Sequence, residues 1–192
     1  MKKFFIFLIL IFSFQSLTKA DDIRDFEIEN LSLGSSLLDN FSKNEIINFV
    51  NYDDLPSDMS FRIAEIHNDQ EMKMKQYDAI QVYYKPEDSN YVIQSLNGII
   101  VCNDENNCNK IFNQVVKDFQ KIYGEGIKNS VVHPDDKTGK SIHTYYEFFL
   151  NTGSISVTNR VWSEAVEWTS VVSIGLYSDE VSNWIKSDWG TN

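Results

Sequence analysis

Three histidines and 28 carboxylates make up most of this chain's acid–base inventory. His133-Pro134-Asp135-Asp136 sets an imidazole beside two carboxylates, and His143 follows ten residues later. Such groups can share a proton in acid–base chemistry or ligate a metal ion. The same residues, flanked by Gly and Lys, also suit a solvated turn, because Pro presets φ and Asp bonds nearby backbone. His143 joins the group only if the intervening loop folds back on itself. A second cluster, Cys102-Asn103-Asp104-Glu105-Asn106-Asn107-Cys108, gathers the oxygen ligands that calcium prefers. It lacks the Gly and the distant Glu of an EF-hand loop. Asn106 or Asn107 as a helix N-cap, with Asp104 and Glu105 at the helix's positive end, accounts for it as well. The metal-ligating candidates are therefore Asp104, Glu105, His133 and Asp135, and no cofactor is implied.

Other acidic residues are harder to assemble into a site. Asp21, Asp22, Asp25, Glu27 and Glu29 read as a solvated start, and Asp53, Asp54 and Asp58 as a loop around Pro56. Glycoside hydrolysis would need two carboxylates fixed across a cleft. No nucleophile elbow, P-loop, dinucleotide fingerprint or H-E-x-x-H occurs. Enzymatic activity, as a hydrolase for instance, is the least supported reading.

Cys102 and Cys108 are the only cysteines. An even pair in an oxidising compartment pairs as a disulfide. Five intervening residues separate it from the C-x-x-C spacing of redox catalysts. Zinc would need His partners at ligand spacing, which are absent.

These residues belong to a chain marked for export. Lys2 and Lys3 precede the apolar run Phe4–Phe14, and Thr18-Lys19-Ala20 places small residues where a signal peptidase reads. The run is about half the roughly 20 residues that span a bilayer. Residues 1–20 are thus expected to be a signal peptide, leaving 21–192 as one domain, periplasmic or secreted, without a stable membrane anchor. The full chain carries net charge −11. Removing Lys2, Lys3 and Lys19 leaves 14 basic against 28 acidic residues. A polyanion of this kind repels nucleic acid.

The elements that would position these groups follow from periodicity. Ser42-x-x-Glu45 is a capping box for a helix through Ile46 and Phe49. Strands are expected at 61–66, 77–85, 91–96 and 99–102, with Asn97-Gly98 as a hairpin turn. Apolar residues at three–four spacing from Cys108 to Ile122 predict a helix, stopped by Gly124. A polar loop over 124–141 and a meander of strands at 143–150, 154–162 and 167–177 follow. Ser178 caps a closing helix. The order predicts an α+β fold: antiparallel sheet with helices packed on one face, and two helix-plus-meander halves, 21–107 and 108–192. By strand alternation Tyr145, Phe149 and Trp162 point away from the core set, which includes Trp168. Those three form the candidate binding surface.

The turn Leu31-Ser32-Leu33-Gly34-Ser35-Ser36-Leu37-Leu38, followed by helices and a meander, resembles the opening of small exported envelope proteins. These are the outer-membrane assembly lipoproteins and the tandem beta-lactamase inhibitor proteins. The likeness covers roughly residues 26–102 and rests on a single Gly-Ser turn. The acylated cysteine of the lipoproteins is absent here. The resemblance implies protein–protein binding and transfers no contact residues. The reading is an exported, non-enzymatic binding module whose partner is another envelope protein. The alternatives are a small-molecule or cation binder and an unrecognised hydrolase.

Overall fold

The computed structural model describes residues 22–49, 60–68, 72–133 and 136–189, with side chains up to 187. The expected signal peptide, the acidic loop at 53–58, Pro134 and Asp135 lie outside these residues. The elements are β1 (Glu27–Ile28), β2 (Leu31–Ser32), α1 (Lys43–Asn48), β3 (Arg62–His67), β4 (Ala79–Tyr84) and β5 (Ser95–Val101). They continue with α2 (Glu105–Tyr123), β6 (Ile127–Val132), β7 (Ile142–Leu150), β8 (Gly153–Val161), β9 (Val171–Ser178) and α3 (Asp179–Trp184). Strands β3 to β9 form one antiparallel sheet in the order β3-β4-β5-β9-β8-β7-β6, and β1-β2 is a separate two-stranded hairpin. The α+β architecture expected from the sequence is the one observed. Two meanders, β3 to β5 and β6 to β9, are joined where β5 pairs with β9.

Local sequence signals explain several elements. Ser42 and Glu45 cap α1 reciprocally, with the Ser42 amide donating to Glu45 Oε2 at 2.6 Å. Ser178 accepts from the Val181 amide and opens α3. The Cys102–Cys108 disulfide ties the residue after β5 to the first turn of α2, with Cα atoms 5.3 Å apart. One face of α2 (Cys108, Ile111, Phe112, Val116) is buried on the sheet against Tyr146 and Phe148 of β7. Buried side chains of the N-terminal hairpin and α1, including Ile28, Leu31 and Ile46, join the same core. The closing helix departs from this plan. Val181 and Trp184 make a second small core with Phe61, beside Tyr83 and Tyr177, on the sheet's other face. We call that the outer face.

Four expectations are corrected. Asn97-Gly98 is not a turn: β5 runs straight through it, Asn97 facing Gln81 and Gly175. Gly98 serves close packing instead, because a methyl group there would overlap the Tyr77 ring. The segment 91–94 contributes only an isolated bridge between Val92 and Ser36. Helix α2 begins at Glu105, not Cys108, and its N-cap is Asp104, which accepts from the Asn107 amide at 2.7 Å. The half boundary expected between 107 and 108 therefore falls within its first turn. Finally, the supposed loop 124–141 contains β6, an exposed edge strand bonded to β7. Its exposure conceals it from periodicity, since neither face is buried.

Candidate functional site

Strand register places the outward side chains in rows across the outer face. Directly opposed residues run Val101 (β5), Val171 (β9), Arg160 (β8), His143 (β7) and Val131 (β6). The adjoining row toward α3 is Ile99, Ser173, Thr158, Tyr145 and Asn129. Beyond it the row runs Asn97, Gly175, Ser156 and Glu147 and ends at the exposed Ile127 on the β6 edge; then Tyr177 and Tyr83 pass under α3. The face thus has a covered apolar end beneath α3 and an open end at Arg160.

The open end carries an imidazole–indole cluster. The loop after β6 does fold back: His133 donates its amide to the Ser141 carbonyl at 3.0 Å. That brings the His133 and His143 rings within 4.9 Å of each other. Trp162 packs edge-on against both, at 4.6 Å between centroids. Trp168, from the loop joining β8 to β9, meets Trp162 at 4.5 Å and His133 at 5.7 Å. Trp168 is 53% exposed, so it is a rim residue and not the core residue expected. Strand β9 starts only at Val171, leaving Trp168 in a loop whose direction alternation cannot give.

Asp136 organises this end of the molecule. It is buried, and its carboxylate accepts from the Thr138 amide and hydroxyl at 2.8 and 2.6 Å. It also accepts from the Ser141 amide and hydroxyl, at 2.8 and 2.6 Å, and from the Ser163 hydroxyl at 2.8 Å. Donors from Ser141, Thr138 and Ser163 hold this carboxyl well below the usual range. Five donors occupy the oxygens, so Asp136 ties the 133–141 loop to the 162–170 loop and is committed to structure.

The His143 ring is half-buried, and its Nε2 has no hydrogen-bond partner. Burial, then the nearby Arg160 charge, then His133, lower its pKa to about 4. At neutral pH the ring is therefore uncharged. Arg160 is half-buried beside it.

The sequence candidates are only partly assembled. Tyr145, Phe149 and Trp162 do share the outer face, but they do not form one patch. Trp162 follows the end of β8, beyond Arg160, whereas Phe149 faces Ser154 at the far end. Eight residues of extended β7 separate the two levels, about 27 Å. Phe149 is 55% exposed and Lys186 lies over its ring at 5.6 Å, so it belongs to the surroundings of α3. Asp104 is consumed as the α2 cap and Glu105 starts the helix, far along the chain from His133. Among the described residues no group of three or more His, Cys, Asp or Glu side chains is placed to hold a metal ion. Nor, among them, is any helix long and apolar enough to cross a membrane.

The sequence points to Trp168 only as a core residue and does not point to Arg160. A signal for Arg160 exists: it is the one cation among the outward positions Ser154, Ser156, Thr158 and Arg160 of β8. No protein-family model, no curated protein and no solved structure matches this chain.

Proposed function

We propose that this protein is an exported, non-enzymatic binding module that engages another envelope protein through the open end of its outer sheet face. The observation that carries the reading is the composition of that end. Trp168, Val131 and Val101 are 53, 48 and 47% exposed, and they surround Trp162, Arg160 and His143. Trp, Tyr and Arg are the residue types that dominate binding energy when an apolar rim excludes water around them. Large exposed apolar side chains gathered at one end of a sheet mark an interaction surface. Periplasmic or secreted residence is supported by the N-terminal Lys-Lys-apolar pattern and by the Cys102–Cys108 disulfide. Asp136 is fully engaged by five donors, which argues against its serving as the carboxylate of a catalytic Asp–His pair.

The test is site-specific photo-cross-linking in the native host, with the cross-linker placed at position 168 or at the exposed Lys117 on α2. One protein captured from 168 and not from 117, and then bound when purified, is the expected result. Equal capture from both positions, or capture from 117 alone, refutes the assignment of the surface.

A further inference from the structure

The outer-face row containing Arg160 is valine on three of its five strands, with Arg160 and His143 side by side between them. Neighbouring strands lie about 4.8 Å apart, so valine methyls flank both polar groups. An arginine flanked by apolar side chains is commonly matched by a carboxylate, whose oxygens accept from its fork of N–H donors. Here that carboxylate is missing from the described residues. None of the ion pairs seen between two described residues, such as Arg24–Asp22, Lys85–Glu180 and Lys121–Asp118, involves Arg160. Glu164 and Glu167 on the adjoining loop are exposed and form no ion pair with it. Asp136 is fully engaged by its five donors. Glu147, the carboxylate on the outer face itself, lies four residues along β7 from His143; its charge and that of Arg160 both act on the Tyr177 hydroxyl, but the two form no ion pair.

Beside Arg160, the Nε2 atom of His143 has no partner and is enclosed by packing that includes the Trp162 and His133 rings, so a carboxylate reaches it as those rings part. With its proton on Nε2, a neutral imidazole donates one hydrogen bond. A guanidinium fork donates two in parallel, matching the two oxygens of a carboxylate. One cation beside a neutral ring matches a single negative charge. A phosphate monoester, which carries about two, would call for a larger basic cluster. Trp162, packed on His143, supplies an aromatic wall at the same level. We propose that Arg160 and His143 form a carboxylate-binding centre, which seats an acidic side chain or a chain terminus of the partner against Trp162. The partner's being a protein rests on the preceding reading; the carboxylate chemistry rests on this row alone.

Matched small probes test it on the purified protein by NMR, following the His143 ring and Trp162 indole signals. N-acetyltryptophan carries a terminal carboxylate, and N-acetyltryptophanamide differs only in lacking it. N-acetylglutamic acid α-amide supplies a side-chain carboxylate with its terminus blocked. The expected result is saturable shifts of His143 and Trp162 with at least one acid, about tenfold tighter than with the tryptophanamide. Which acid binds more tightly identifies the source of the partner's carboxylate. Binding should weaken as salt rises and fail in Arg160→Leu, while Arg160→Lys keeps the charge and part of the affinity. Equal binding of acid and amide, or no shift of either signal with any carboxylate, overturns the proposal. The acid–amide comparison uses the wild-type chain, so it does not depend on a variant folding. Specific cross-linking at 168 without carboxylate binding would leave the protein-binding surface standing and remove this centre. Carboxylate binding without cross-linking would do the reverse.

Discussion

His143 makes stability depend on pH in a predictable direction. In the unfolded chain its pKa is near the ordinary 6.5, and in the folded protein it is lowered to about 4 by burial first, then Arg160 and His133. Above pH 6.5 the ring is neutral in both states and its environment has no effect on stability through protonation. Between pH 6.5 and about 4 the unfolded chain takes up a proton that the folded one refuses, so stability falls with pH. Below about 4 both states are protonated and this loss stops growing. A shift of that size corresponds to about 3 kcal/mol without screening. The ring is only half-buried, and solvent screening reduces the expected loss to about 1–2 kcal/mol. Urea unfolding of wild type and His143→Gln at pH 7.5 and 4.5 measures it. Carboxylates titrating in the same range contribute to both proteins and cancel in the difference. The wild type should lose about 1–2 kcal/mol more than the variant on acidification. An NMR titration placing the His143 pKa within half a unit of 6.5, or parallel acid losses in both proteins, refutes the reasoning. In Arg160→Leu the His143 pKa should rise yet stay below 6.5, because burial, the larger cause, remains.

Two further outcomes follow from packing. Gly98→Ala places a methyl group in the Tyr77 ring and should cost about 1–3 kcal/mol in urea unfolding; a neutral effect would show that Tyr77 moves aside freely. Replacing Cys102 and Cys108 together with serine should cost about 2 kcal/mol by the loop-entropy model, since the closed loop is short. A loss of all cooperative unfolding would mean that the bridge holds more than the β5–α2 junction.

Much of the fold was legible because its signals are local. The capping box at Ser42 and Glu45, the Ser178 cap, the buried stripe of α2 and the alternation in β4, β7 and β8 each depend on neighbours within a turn or a strand. Where a signal has two meanings the sequence misleads. Asn-Gly tolerates the positive φ of a hairpin turn, yet Gly98 is needed because an aromatic ring from residue 77 lies where a side chain would be. Strand β6 carries no buried face, so only its pairing with β7 reveals it.

The candidate site divides along the same line. Alternation alone establishes that Tyr145, Phe149 and Trp162 point outward, because side chains on a strand alternate with period two whatever the topology. The sequence likewise determines the single cysteine pair, the acidic balance and the export-like N-terminus, all of which are properties of composition and order. It cannot say which outward residues are neighbours. That depends on register between strands distant in sequence, and on where loops return. Pairing across β5-β9-β8-β7-β6 sets Arg160 beside His143 in a row of valines, and the five hydrogen bonds of Asp136 fold His133 toward Trp162. The same register parts Phe149 from Trp162 and leaves it beside the closing helix. Long-range pairing creates the site from residues that are individually unremarkable, and for that reason only the tertiary structure could decide it.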